Sequence, residues 1–337
     1  MLRDSVLPPA ESATFISEHA KQVEIHYKGI NKLCEQMISS ISGKKLIIPE
    51  IEASSTQPLL GHTQAVDWIF VTDTLNFCFW SLGEDKKWTV DGHTGYCALE
   101  AALHKAVKNG YNITSPKYYS QMPRDKIIEV FKGDTEEQIP LIEERISVLH
   151  EVGTILVDKF QGTFETCVKE ANKSAINLLK IVIENFPCFR DEAVYKGENV
   201  SFYKRAQILV ADLWNLFQGK GWGEFYDIDK ITMFADYRVP QVLVYFGVLN
   251  YSDNLMKKLK NNVLIENGTE EEIEIRGCSI HSVELLKIKL QDKIKEEQID
   301  VDVINSALID YYLWCYRRKH AHEIAKLPFH KTLCIYY

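Results

Sequence analysis

The 337-residue chain contains no run of 18 consecutive apolar residues, and its opening "MLRDSVLPPAESATF" has no apolar signal-like region. A membrane-spanning helix needs about 20 apolar residues in a row, so no membrane association is expected. The missing secretory signal points to the cytoplasm, with the nucleus as a second possible location. Cations are not in excess either: 39 Lys and Arg against 47 Asp and Glu leave a net charge of −8. A protein that grips a long phosphate backbone normally presents a net basic surface, so no stable nucleic-acid partner is expected. Two or three local cations would still suffice for a small phosphorylated ligand. The eight cysteines, at 34, 78, 97, 167, 188, 278, 315 and 334, never form C-x-x-C and show no zinc-like spacing with histidine. They read as free thiols in a reducing compartment, mostly small core hydrophobes such as Cys78 in "NFCFW". The phosphate loop, the dinucleotide fingerprint, H-E-x-x-H and G-x-S-x-G are all missing, and "GKGWG" at 219–223 is too short for a dinucleotide loop. No cofactor and no metal is predicted; "HAH" at 320–322 lies in a basic stretch without a metal-like partner.

The composition that remains, 46% hydrophobic and 26% charged, is that of a globular protein large enough to bury a sizeable core. Apolar residues recur mainly at helical spacing. A helix is expected from near Glu11, and another through "HYKGINKLCEQMISSI", with Ile30, Leu33, Cys34, Met37 and Ile41 on one stripe. "CALEAALHKAVKNG" reads as a helix closed by Gly110, and 140–160, 166–186, 202–223, 281–298 and 303–320 repeat the pattern. Strands are expected only in "EEEIEIRGCSI" and as a small hairpin within 84–95, while "GTEEEIEI" reads as a solvated acidic face. The prediction is a mainly α fold: one multi-helix unit over 1–337, with 1–62 as a looser N-terminal part.

Chemistry is sought where ionisable residues interrupt apolar runs, because an unpaired buried charge costs several kcal/mol. In "KITMFADYRVPQVLVYFGVL", Asp236 and Arg238 stand beside Phe234 and Tyr237, with Pro240 marking a helix start. Two readings of Asp236 stay open: a carboxylate facing a ring-lined pocket, or an acid that complements the helix dipole or pairs with Arg238. The second is the commoner use of such a residue. Asp310, in "LIDYYLW", is not plainly on the solvent face; a buried bond to a tyrosine hydroxyl or a helix edge would explain it equally. Asp73 and Asn76 fit turn and cap chemistry within an aromatic cluster, with Asn76 retained as a substrate-binding candidate. Lys204 and Arg205 open a helix, the wrong end for cations, which suggests a nearby anion; solvated surface positions are the plainer account.

"FVTDTLNFCFW", "SFYKRAQILVADLW", "ITMFADYRVPQVL", "EIRGCS", "DYYLW" and the closing "CIYY" resemble the queuosine salvage proteins, the queuosine 5′-phosphate N-glycosylase family. The resemblance runs from "ESATFISEHA" to the last residues, far beyond the reach of a short motif. It implies a hydrolase that releases queuine, a 7-deazaguanine base, from queuosine 5′-monophosphate, on a fold similar to the helix-hairpin-helix DNA glycosylases. "FQGKGWG" would be the glycine hairpin. The "FADYR" aspartate, Asp236, would be catalytic and Phe234 would line the base site, with Asp310 and Tyr311 supplying further base contacts. Two departures stand out. Relatives often carry an acid just after the "DYYLW" tryptophan, where this chain has Cys315. A base-contacting histidine of the N-terminal loop aligns ambiguously, with Gln57 or His62 nearest.

Cleaving a ribosidic C–N bond develops positive charge on the sugar. A carboxylate in a dry pocket stabilises that charge more than it stabilises neutral substrate, which is the function expected of Asp236. A 7-deaza base has carbon in place of N7, so its departure needs hydrogen bonds at other edges, with Asp310 as a candidate. Phe234 and Tyr311 would hold the planar base, and Lys204 and Arg238 the 5′-phosphate. Two rivals are weighed: a non-catalytic helix-hairpin-helix module for nucleotides or nucleic acid, and a DNA base-excision glycosylase. The net charge of −8 speaks against the first with a polyanion partner, and no basic stripe supports the second.

Overall fold

The structure, a computed structural model, describes residues 6–47, 62–81 and 87–337, with the side chains of His62 and Thr63 outside that set. It is mainly helical and divides into two compact units. The first comprises Met1–Ile51, Asp191–Lys204 and Ile231–Leu333; the second comprises Glu52–Arg190, Arg205–Lys230 and Cys334–Tyr337.

The first unit is built on the 27-residue helix Glu270–Glu296. The Pro9–His19 helix packs along it, close enough that a Cβ at Gly277 would sit 2.6 Å from the Ile16 side chain. Only glycine fits at that crossing. Residues 6–47 are tied in by backbone pairing. Val6–Leu7 lies parallel to Glu198–Ser201, which runs antiparallel to Glu192–Tyr195; Val23–Ile25 pairs antiparallel with Leu249–Tyr251. Ile30, Leu33, Cys34 and Met37 of the Tyr27–Ile38 helix enter the same core, the stripe their spacing predicts, and Ile41 packs against it.

Two expectations fail in the long helix. "EEEIEIRGCSI" is helical, not a strand, and the acidic run is not a solvated face: Glu272 and Glu274 are buried. The alternation of Glu and Ile imitates a strand because this helix is buried on several sides, so apolar and charged residues both point inward. Each charge has a partner. Glu274 accepts from the Tyr195 hydroxyl at 3.0 Å and from the Lys21 and Gln22 amides at 2.9 and 2.6 Å. Glu272 accepts from Arg276, one turn on, at 3.2 Å.

In the second unit the hairpin expected within 84–95 is present as Thr89–Val90 paired with His93–Thr94. The following helix is Tyr96–Lys108, and Gly110, at φ +87°, takes the left-handed position just past its end. Ile142, Ile146, Leu149 and Val152 of the Ile142–Lys159 helix are buried as their periodicity requires. The 166–186 stretch is two helices, Glu165–Glu170 and Ala175–Asn185, since Asn172 and Lys173 both adopt left-handed backbone and break the run. The buried Arg145 donates to the carbonyls of Leu75, Phe77 and Cys78. Arg205, equally buried, donates to those of Thr74 and Cys188 and lies over the Phe77 and Phe189 rings. These guanidinium groups satisfy the carbonyls of an irregular segment that could not otherwise be buried. Arg205 is therefore a packing residue, not a solvated one.

Candidate active site

In the first unit, residues 231–238 form an irregular buried segment that leads into the Val239–Tyr245 helix. Pro240 sits in the first helical turn, where its missing N–H removes no bond. Asp236 Oδ1 accepts from the backbone N–H of Arg238 and of Val239, each at 2.8 Å. The capping use of this aspartate is thus real, and it occupies one oxygen. Oδ2 has no hydrogen-bond partner among the described residues, and Asp236 is half-buried.

Three contacts hold the segment and the helix that follows it from outside. Arg276 donates through Nε to the Ala235 carbonyl at 2.9 Å, with its remaining nitrogens on Asp191 at 2.8 and 2.5 Å and on Glu272. Asp310 Oδ1 accepts from the Phe234 amide at 3.0 Å. Gln241 donates to the Leu327 carbonyl at 2.6 Å. Both residues preceding Asp236 are therefore pinned through their backbones by buried charged groups. Asp310 is buried, and Oδ1 serves a backbone N–H.

The surroundings of Asp236 are cationic and aromatic. The Arg238 guanidinium lies 3.9 Å from the Phe329 ring centroid and 5.1 Å from that of Tyr237, and donates to Gln241 Oε1 at 3.2 Å. Burial lowers its pKa, with Tyr237 and Asp236 opposing. Arg317 belongs to the same group. Burial and then the neighbouring Arg238 charge push it down to about 10, against the influence of Tyr237 and Asp236. Its Nε is buried without a hydrogen-bond partner among the described residues.

The other predicted residues are distributed as follows. Phe234 is buried, and Cys315 is buried on the inner side of the Ser306–Lys319 helix. Tyr311 is 41% exposed and stacks on Trp314, with ring centroids 6.1 Å apart and planes at 15°. Lys204 is buried rather than solvated. Its backbone N–H donates to Asp191 Oδ2 at 3.1 Å, so the anion near this helix start is the protein's own carboxylate, already held by Arg276. Asn76 belongs to the second unit, where it is buried and donates to Asp73 Oδ1 at 3.4 Å, in keeping with cap chemistry. The side chain of His62 and all of Gln57 lie outside the described residues. In the second unit Glu100, Asp212 and Asp73 each act electrostatically on the buried Tyr96; burial raises Glu100 to about 7, against a hydrogen bond from Tyr96.

Reading the sequence missed Arg276, Gln241 and Arg317. Arg276 stands four residues after Glu272, a helical ion-pair spacing hidden by the strand assignment. Arg317 follows Asp310 by two helical turns and so shares its face, yet "YRRKH" looks like a plain basic end. Among the described residues no group of three or more His, Cys, Asp or Glu side chains is placed to hold a metal, and no helix is long and apolar enough to cross a membrane.

A carboxylate with one oxygen unengaged among the described residues, beside a guanidinium that lies over two aromatic rings, suits a small anionic molecule that carries a planar ring. That chemistry agrees with what the chain is similar to. Residues 56–337 match the family model described as queuosine salvage protein. A protein of Mus musculus named queuosine 5′-phosphate N-glycosylase/hydrolase is 43% identical over 98% of this chain and 99% of its own length. Its namesake in Bos taurus is 45% identical over 99% of this chain and all of its own. One from the bacterium Sphaerobacter thermophilus is 37% identical over 82% and 83%. The chain belongs to the queuosine salvage protein family.

Proposed function

We propose that this protein hydrolyses the N-glycosidic bond of queuosine 5′-monophosphate and releases queuine for salvage into tRNA modification, with Asp236 as the catalytic carboxylate. The observation that carries this reading is Asp236 itself: Oδ1 is locked by two backbone N–H groups, while Oδ2 is engaged by no described residue. A carboxylate fixed in this way loses little freedom when it meets a transition state. Oδ2 stabilises the positive charge that develops on the ribose and orients the attacking water. Phe234, Tyr311 and Cys315 border the base. Asp310 acts on it through the Phe234 backbone and, by the family resemblance, at a base edge. Arg238 serves the 5′-phosphate.

Both units belong to one functional domain in this reading, since the family match spans parts of each. The helix-hairpin-helix kinship is supported by the 219–223 turn: Gly219 and Gly221 have positive φ, and a Cβ on Gly223 would meet the Leu213 carbonyl at 2.4 Å. Against a simple hairpin, that turn leads through 3-10 turns at Gly221–Gly223 and Ile228–Lys230, and the next helix begins only at Val239. The burial of all eight cysteines supports a reducing compartment, the cytoplasm or nucleus. The net charge of −8 supports a free nucleotide over a nucleic acid as partner.

The test is incubation with queuosine 5′-monophosphate and, separately, guanosine monophosphate, followed by chromatography for free base. Release from the first and not the second is expected, with Asp236→Asn at least 100-fold slower, on the order of 2.7 kcal/mol of lost transition-state stabilisation. Wild-type release by Asp236→Asn would overturn the mechanism.

A further inference from the structure

The first turns of the Ser306–Lys319 helix are fixed against the segment that carries Asp236. Asn305 Oδ1 caps the helix by accepting from the Leu308 amide at 2.9 Å, and Asp310 Oδ1 accepts from the amide of Phe234, two residues before Asp236. Tyr311 comes next in the chain and is 41% exposed. An exposed tyrosine ordinarily samples several rotamers, and a ligand that stacks on it must immobilise it. Here the ring is held. Trp314, three residues on, lies nearly parallel to it, with planes at 15° and centroids 6.1 Å apart, in keeping with the offset stacking that aromatic rings favour. The indole is backed in turn by the Arg318 guanidinium, 5.3 Å from its ring. Positions 311, 314 and 318 follow at i, i+3 and i+7, so the three groups form a ladder along one face of the helix. Trp314 is itself half-buried against the core of the first unit, so the ladder ties an exposed ring to a rigid support.

We propose that Trp314 is a positioning residue for base recognition: its indole, held by Arg318, fixes the plane of the Tyr311 ring, so that the planar base meets a preset face. The inference rests on the function proposed above, in which Tyr311 borders the base, and deepens it. A ring already held in place spares a ligand the cost of ordering it. The ladder therefore acts on affinity for the base and not on the chemistry at the anomeric carbon, which belongs to Asp236. Its influence is confined to ligands that carry the base. Arg318 stands in the last turns of the helix, where the helix dipole also favours a cation, so the outer rung of the ladder is stabilised where it sits.

The experiment follows binding of the two products, queuine and ribose 5-phosphate, by calorimetry, together with kcat and KM for queuosine 5′-monophosphate. The proteins compared are wild type, Trp314→Leu, Trp314→Phe, Arg318→Gln, Tyr311→Ala and the double variant Tyr311→Ala with Trp314→Leu. Trp314→Leu keeps an apolar side chain at the core edge and removes the ring. It should weaken queuine roughly 2- to 10-fold, the range of an aromatic pair, and raise KM by a similar factor. Both kcat and ribose 5-phosphate affinity should stay within about twofold of wild type. Trp314→Phe should restore most of the loss, and Arg318→Gln should weaken queuine in the same direction by roughly twofold. On the Tyr311→Ala background, Trp314→Leu should weaken queuine no further, because the indole acts through the tyrosine. Unchanged queuine affinity in Trp314→Leu, equal weakening of queuine and ribose 5-phosphate, or a full additional loss in the double variant would overturn the assignment. If Trp314→Leu does not fold, Arg318→Gln decides: weaker queuine with ribose 5-phosphate unmoved sustains the ladder, and unchanged queuine refutes it. Should wild type bind queuine yet release no base from the nucleotide, the proposed function fails by itself and the same titrations still judge Trp314. A wild type that binds no queuine refutes the ladder outright.

Discussion

Replacing Arg276 with methionine tests how the site is held. The side chain is 1% exposed, and methionine would fill much of the same volume with the guanidinium removed. Two hydrogen bonds to Asp191, one to Glu272 and one to the Ala235 carbonyl would be lost, along with the contact over Phe202 at 4.1 Å. Asp191 and Glu272 are 3% and 1% exposed and would be left as buried acids without their cation. Breaking a buried pair in this way costs about 3–5 kcal/mol, a large part of a typical stability of roughly 5–15 kcal/mol. The sign of its pH dependence follows. Burial without a cation raises a carboxyl pKa, so the folded variant binds more protons than the unfolded chain and its deficit shrinks as pH falls. Urea titrations followed by tryptophan fluorescence at pH 7.5 and pH 5.5 should show a loss of about 3–5 kcal/mol at the higher pH and a smaller loss at the lower. Arg276→Lys separates stability from positioning: it keeps a charge near Asp191 but cannot reproduce both that pair and the bond to the Ala235 carbonyl. It should recover much of the stability while kcat stays reduced roughly tenfold, because the backbone beside Asp236 is no longer pinned. A stability change under 1 kcal/mol in Arg276→Met, or wild-type kcat in Arg276→Lys, would refute the reasoning.

Gly277→Ala places a methyl 2.6 Å from Ile16, whose own Cβ is 2.7 Å away and cannot swing aside. Overpacking costs about 1–3 kcal/mol, offset by nearly 1 kcal/mol of helix propensity, so a net loss of roughly 1–2 kcal/mol should appear in the same titration. His330 is buried beside Arg276, and burial, then that charge, lowers it to about 3. Because its folded pKa lies below the unfolded value of about 6.5, its contribution is complete above pH 6.5 and is lost as pH falls towards 3. His330→Gln should therefore flatten the decline in stability between pH 7 and pH 5 by about 1–2 kcal/mol; an identical slope in variant and wild type would show that this histidine titrates normally.

Hydrophobic spacing alone determined that the chain is mainly helical, where most helices lie, and that Gly110 and Pro240 mark an end and a beginning, because these are local properties of the backbone and of one apolar stripe. It also singled out Asp236, since an acid entering an apolar run must be capped, paired or used. Spacing could not reveal that the first turns of the Glu270–Glu296 helix, through 272–280, are buried around their circumference, so the Glu and Ile alternation there imitates a strand and its acids resemble a solvated face. The anchors of the site come from distant parts of the sequence: Arg276 is 41 positions from Ala235, Asp310 is 76 from Phe234, and Gln241 is 86 from Leu327. Lys204 and Asn76 show the converse, for both looked available to a ligand and both are buried among the protein's own partners. Whether a charge serves the fold or a substrate depends on what surrounds it, and only tertiary packing brings those surroundings together.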